Sequence, residues 1–544
     1  MMLAWSQHLI LVPIVLPLIC GALLILINES RHQLKFAINF ASMLAMLAIS
    51  ITLVSMADSE YWQHGIGVYL AANWSAPFGI ALLADRLSAM MLVLTSILGT
   101  AALMYSMSRW SRLGVHFHSL FQFLMMGING AFLTHDLFNL FVFFEVMLAA
   151  SYGLILHGYN TTRVRAGMQY IAINLTASLL FLIGVALIYA STGTLNMADL
   201  AARMPWVQGL DMQLLQIGVS ILALAFLIKS AMWPLGFWLP TTYAAAAPPV
   251  AAMVVLMTKV GVYAILRIWL LVFSSEAGEA AGFGLEALTW GGIVTIVFGA
   301  AGMLAAQDPG RMAGYAAIVS SGTMLAILGY GQPSLIGPML YYLIGSTIAV
   351  AALMLLIELI NRISTPGAAV LALTIEAFAV EEVPEETAGV RVPAALAFLG
   401  LSFSACALII SGLPPLSGFL AKFTMFHQLL SPTASEGLVS PTAWTILILI
   451  VVAGFSSILG LMRFGVRTFW ASGAIQPPRL LISEVLPIGA LLGVCLALAV
   501  MAGPALDYLD RVSDGLHRPT DYVERVLAEP VVPGAIHKPV EEAK

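Results

Sequence analysis

Glu145 sits near the middle of the apolar stretch DLFNLFVFFEVMLAASYGLILHG. Three lysines stand in comparable settings: Lys229 in LIKSAMWPLGFWLP, Lys259 in PPVAAMVVLMTKVGVYAILRI and Lys422 in SGLPPLSGFLAKFTMF. The chain has six lysines, so half of them are in apolar surroundings. A charge at the centre of a bilayer costs about 2.5 to 3.5 kcal/mol even on the lenient insertion scale, so such residues face protein or water and usually have partners. Lysine, unlike arginine, can load and release a proton near neutral pH when desolvated. One carboxylate neutralises one ammonium, so Glu145 and Lys229 form the expected ion pair, and the surplus lysines point to titration and hydration. The bland reading makes each lysine a structural cation, snorkelling or bound to a carbonyl. It suits one isolated lysine better than three beside a single glutamate.

These charges need a membrane to be unusual in, and composition supplies it. Of 544 residues, 60% are hydrophobic and 9% charged, where a soluble chain carries about a quarter charged residues. The mean hydropathy is +0.96. A formal net charge of -5 with no run of Lys or Arg excludes a nucleic-acid binder. Cys20, Cys406 and Cys495 lie far apart inside apolar stretches and offer no disulfide, zinc or iron–sulfur spacing. No nucleophile–base grouping or phosphate loop is present, and Asp308-Pro309-Gly310 reads as a tight turn, so neither an enzyme site nor a cofactor is expected. The 27 methionines and 26 phenylalanines suit adaptable packing in lipid.

A helix crossing about 30 Å of hydrocarbon needs about 20 apolar residues. Fourteen such runs are legible, at residues 9–28, 34–57, 86–106, 116–134, 137–157, 166–190, 212–238, 249–273, 286–306, 312–330, 335–361, 394–429, 442–464 and 482–503. The fold class expected is therefore an all-α polytopic membrane protein. Alternate loops created by this count hold twelve basic residues on one side and two, Arg86 and Arg203, on the other before the tail. That bias makes the first set cytoplasmic and places both termini outside. Arg267 is close enough to the external end of its span to snorkel. His135 and Asp136 open the fifth span, His157 closes it and His427 follows Lys422. All four suit capping or interface positions. Asp136, His157 and His427, with Tyr263 one turn beyond Lys259, are kept as accessory candidates.

Prolines interrupt two spans. Pro234 follows Lys229 in span 7, and Pro414-Pro415 precedes Lys422 in span 12. The breaks lie five spans apart, so spans 4–8 and 9–13 form two five-helix units, inverted because the helix number is odd. The expected layout is an N-terminal part, 1–110, repeat one, 111–273, and repeat two, 286–464. Helix 14, 482–503, and a polar tail, 504–544, follow. The segment 363–393 carries five glutamates and is expected as a solvated cytoplasmic insertion.

The segments FFEVMLAASYGLIL, LIKSAMWPLGFWLPTTYAAAAPPVAAMVVLMTKVG, AAIVSSG and SGLPPLSGFLAKF resemble the antiporter-like, proton-translocating membrane subunits shared by respiratory complex I and the multisubunit Mrp (Mnh, Pha) cation/proton antiporters. The likeness runs over nearly the whole chain. It implies fourteen helices with inverted repeats and a hydrated row of charges at mid-membrane. By motif these roles fall on Glu145, Lys229, Lys259 and Lys422. The wording around SAMWPLGFWLPTTYAAAAPPVAA is similar to the D-type branch of Mrp assemblies. Neither the long C-terminal domain of the A-type branch nor the lateral helix of the largest complex I subunit is expected. The implied activity is monovalent cation (Na+ or K+)/H+ exchange in the cytoplasmic membrane, with the other antiporter subunits as partners. The alternative is a proton-pumping subunit of complex I or of a membrane-bound hydrogenase. An autonomous exchanger and a scaffold stand further off.

Overall fold

The computed structural model describes residues 2–59, 61–363, 393–431, 439–469 and 478–530. The glutamate-rich segment and the last residues of the tail lie outside the described residues. The helices are α1 (Met2–Leu26), α2 (His32–Asp58), α3 (Arg86–Ser106), α4 (Phe117–Leu133), α5 (Leu137–Ile155), α6 (Thr161–Thr192), α7 (Met197–Arg203), α8 (Gly209–Lys229), α9 (Leu239–Ala245) and α10 (Pro248–Val272). They continue with α11 (Leu285–Ala305), α12 (Pro309–Tyr330), α13 (Ile336–Asn361), α14 (Ala394–Ser411), α15 (Ser417–Leu429), α16 (Pro441–Phe469), α17 (Ile482–Val500), α18 (Ala502–Leu516) and α19 (Pro519–Leu527). Among the described residues, thirteen helices are long and apolar enough to cross a membrane, and α4, at 17 residues, is the shorter apolar helix that completes the fourteen expected. The expected class, a polytopic helical membrane protein, is the one observed.

Capping side chains set the helix starts. Asp85 and Ser88 form a reciprocal capping box on α3. Asp136 and Asn160 accept the backbone N–H groups of Asn139 and Arg163 at the starts of α5 and α6. Asp308, expected in a tight turn, instead caps α12, with Pro309 as its first residue. Among the described residues a small sheet departs from the all-helical expectation: strands β1 (Gly67–Leu70) and β2 (Ala81–Ala84) pair antiparallel in the register Gly67↔Ala84.

Two spans are broken where proline deprives the ladder of a donor. Helix α8 stops at Lys229, nine residues before the expected end of span 7, and the short α9 begins at Leu239, just past that end. Span 12 stops at Ser411 and resumes as α15 at Ser417. Helix α10 is buried throughout its apolar stretch and α12 nearly so, and these two with α13 form the centre.

On the face where Gln7 reaches Glu529 at 2.8 Å, here called the terminal face, residues 502–527 are two amphipathic helices. They bury Leu509, Val512, Tyr522 and Val526. Arg511 holds Asp58 with two bonds of 3.0 and 2.9 Å, and Tyr508 donates to the Arg86 carbonyl at 2.8 Å. On the opposite face Arg362 bridges Glu358 and Glu484, while Tyr105 and Arg109 also bond Glu358, so α3, α13 and α17 are tied together. Arg163, expected in a loop, is buried and donates to the His157, Gly158 and Ala245 carbonyls.

Candidate functional site

Lys229 is the last residue of α8, so its side chain stands at the negative end of the helix dipole, next to carbonyls freed by the break. Its ammonium donates to Asn174 Oδ1 of α6 at 3.0 Å and lies 5.9 Å from the Phe144 ring centre. Glu145 accepts a hydrogen bond from Ser178, one turn along α6 from Asn174. The expected ion pair is therefore not formed: each member is held by a neutral residue of α6.

Lys259 is fully buried in α10. Its ammonium donates to Ser320 Oγ at 2.9 Å and reaches Ser321 Oγ at 3.5 Å, both on α12. Ser320 in turn lies 2.9 Å from Ser346 Oγ on α13. Hydroxyls thus lead from Lys259 toward the second broken span. There Lys422 donates to the carbonyls of Ser411 at 2.7 Å and Ile410 at 3.4 Å, the last turn of α14. Gly412 makes the turn possible, at a left-handed φ of 78° that glycine adopts without penalty.

The accessory candidates separate from this row. Tyr263 donates to the Phe132 carbonyl at 2.7 Å and sits one turn from Lys259 on the same helix. Asp136 is the cap of α5, and burial pushes its carboxyl above the usual carboxylate range. His157 bonds the Trp110 carbonyl at 2.8 Å on the opposite face, and burial holds its imidazole below the ordinary value. His427 is exposed on α15. None of these three touches a lysine of the row.

Several partners in the row carry no local signal strong enough to single them out in the sequence. Asn174, Ser178, Ser320, Ser321 and Ser346 are its acceptors and links; what marks them is only that they are polar residues inside apolar spans, Asn174 and Ser178 at helical spacing i, i+4. Arg267 does not snorkel: it is 4% exposed and forms a bidentate pair with Asp85 at 2.7 and 2.8 Å. Lys35, near the start of span 2, is buried in α2 and paired with Glu29 at 2.7 Å. Behind it Asn39, His118, Gln122 and Ser42 form a polar ladder between α2 and α4.

A bundle of apolar helices that keeps a row of ammonium groups on amides, hydroxyls and helix-end carbonyls defines a class, the polytopic membrane subunits that handle ions. The family model for NADH:quinone oxidoreductase/Mrp antiporter transmembrane subunits matches residues 134–456, which contain the whole row, and the chain belongs to that family. It is 51% identical over 531 residues to the D-type subunit of a probable K(+)/H(+) antiporter of Rhizobium meliloti (strain 1021), covering 97% of this chain and 98% of that one. It is 34% identical to the D-type subunit of the Na(+)/H(+) antiporter of Alkalihalophilus pseudofirmus, over 96% of this chain and all of the other. Among solved structures, a chain of the Mrp complex from Dietzia sp. DQ12-45-1b superposes with a TM-score of 0.80 at 26% identity, covering 96% of this chain and 99% of that one. A chain of respiratory complex I from Thermus thermophilus, at 21% identity and TM-score 0.72, shares the fold over 96% of this chain and all of its own.

Proposed function

We propose that this chain is the D-type subunit of a multisubunit monovalent cation/proton antiporter and that protons cross it along Glu145, Lys229, Lys259 and Lys422. One observation carries the reading: all three lysines are buried on neutral oxygens. An ammonium without a fixed counter-charge can give up and regain its proton without an ion pair being torn apart. Arginine on carboxylate, the arrangement at Arg267–Asp85, has the opposite character.

Glu145 is half-buried at mid-span, so a neighbouring subunit covering this edge of α5 completes its burial. The two broken spans support inverted five-helix repeats, spans 4–8 and 9–13, meeting at α10 and the helices packed against it. The basic-residue bias supports placing the opposite face in the cytoplasm and the terminal face outside. Potassium is the cation to test first, in view of the name of the 51% identical relative. The redox-driven alternative has the shared family model and the fold likeness to the complex I chain behind it, but the curated relatives of highest identity reported above are antiporter subunits.

The test is cation-driven proton exchange in vesicles carrying the assembled complex. Glu145→Gln and Lys229→Ala each abolish exchange while assembly is retained. Full exchange by either variant overturns the relay.

A further inference from the structure

We propose that Thr295 of α11 is a positioning residue for proton exchange, setting the break that carries Lys229 against the stretch of α12 that holds Lys259. The proposal rests on the relay reading above. It adds a residue that carries no charge and bonds neither ammonium.

Past Lys229 the chain folds back on the end of α8. The N–H groups of Ser230, Ala231 and Met232 return to the carbonyls of Phe226, Ile228 and Leu227 at 2.8, 3.2 and 3.0 Å. Trp233 N–H is the next donor, and Pro234 after it has none. The Trp233 donor leaves the segment: its acceptor is Thr295 Oγ1 at 2.9 Å, 62 positions on. Thr295 is fully buried and gives its own proton to the Gly291 carbonyl at 2.6 Å, so the hydroxyl is oriented to accept. Ala231, in the same turn, has a left-handed φ of 58°, a conformation that a residue with a Cβ keeps only where its surroundings hold it. The break therefore needs an outside hold, and α11 supplies one.

One turn before Thr295, Gly291 receives another part of the break: an added Cβ there would come within 2.5 Å of Met232 Cε. Thr295 also meets α12. An added Cβ on Gly322 would lie 3.0 Å from Thr295 Cβ and 2.9 Å from Ile296 N, so the two helices touch there without an intervening side chain. Gly322 directly follows Ser320 and Ser321, the acceptors of Lys259. One buried threonine thus touches both the Lys229 break and the Lys259 acceptor stretch. Lys229 reaches Asn174 from the last residue of α8, four residues ahead of the anchored N–H. Without the Thr295 acceptor the turn loses its hold, and the ammonium loses its fixed place on Asn174 Oδ1.

Thr295→Val keeps the shape and removes the acceptor, whereas Thr295→Ser keeps the acceptor. Both are made in the assembled complex, and initial exchange rates are read in vesicles over a range of cation concentration. With valine the maximal rate falls about fivefold or more, the size expected for one net hydrogen bond, while the half-saturating cation concentration stays unchanged. Serine brings the rate back to within about twofold of the native one, since its hydroxyl accepts in the same way. Combining Thr295→Val with Asn174→Leu slows exchange little more than Asn174→Leu alone, because both act on the placement of one ammonium. Where valine prevents assembly, Thr295→Ala takes its place in every comparison. A native maximal rate with valine, a change in half-saturation in place of rate, a serine variant as slow as the valine one, or fully multiplied losses in the double variant each overturns the role. Lys229→Ala separates the two levels. If it still abolishes exchange, the relay stands and the role of Thr295 alone is wrong, whereas full exchange by Lys229→Ala removes the relay itself.

Discussion

Lys229 and Glu145 are connected through α6: Asn174 accepts from the lysine at 3.0 Å, and Ser178, one turn on, donates to the glutamate. The amide can accept from an ammonium or donate to a neutral amine by turning over, so it serves Lys229 in both protonation states. A buried hydrogen bond to a charged group is worth about 1.5 to 3 kcal/mol. Asn174→Leu is expected to slow exchange about tenfold or more with normal assembly. Asn174→Asp is expected to slow it too, by supplying the fixed counter-charge that pins the proton on Lys229. Wild-type rates in the aspartate variant would show that Lys229 does not cycle its proton.

Ser320 is both the acceptor of Lys259 and its link to Ser346. Ser320→Ala removes the hydroxyl from a packed site without enlarging a side chain, and a several-fold loss of exchange is expected. If the hydroxyls act in series, adding Ser346→Ala costs little more than Ser320→Ala alone. Additive losses in a double-mutant cycle would mean that the two serines act separately.

Gly412 is the turn on which Lys422 depends. At φ 78°, a Cβ at this position would come within 2.5 Å of Lys422 Cδ. Gly412→Ala therefore strains the backbone and displaces the ammonium from the Ser411 carbonyl. The expected result is a loss of about 1 kcal/mol or more of stability and a larger proportional loss of exchange, read from thermal melts and vesicle assays. Gly503→Ala, with nothing near its Cβ, is the silent control.

Stability should fall in mild acid. Burial, followed by the nearby Arg267 charge, holds His135 down to about 3 from an ordinary value of 6.5, and burial lowers His157 as well. The folded chain binds these protons less readily than the unfolded one. Stability is therefore complete above about pH 6.5 and declines as pH drops through the window toward 3. His135→Gln is expected to flatten the dependence of the melting temperature between pH 6.5 and 4.5. An unchanged slope would rule out His135 as a source.

Asp85 behaves as the opposite case in range and the same in sign. Burial alone would raise its carboxyl, but the Arg267 charge and hydrogen bonds bring it well below the usual carboxylate value. Its contribution is present throughout the neutral range and is lost only below about pH 4. Asp85→Ala leaves Arg267 buried and unpaired, and a loss of about 3 to 5 kcal/mol is expected. A melting temperature within a degree of wild type would show that water replaces the carboxylate.

Fourteen apolar runs, the two proline breaks and the four ionisable residues inside the spans were legible because each is a local property. Hydropathy and a missing backbone N–H act on the segment that carries them, and a charged residue in an apolar run stands out whatever it touches. The partners of those charges were not legible. Serine and threonine in these helices more often bond their own backbone, as Ser50 and Thr95 do with the carbonyls four residues back, so residue type does not separate Ser320 from them. Only packing brings Ser320 to Lys259 across 61 positions, Asn174 to Lys229 across 55 and Asp85 to Arg267 across 182. The sequence by itself determined that charges are buried in a membrane bundle. The tertiary structure decided that the lysines rest on neutral oxygens while Arg267 takes a carboxylate, because the cost of burying a charge is settled by the atom that meets it and not by the chain around it.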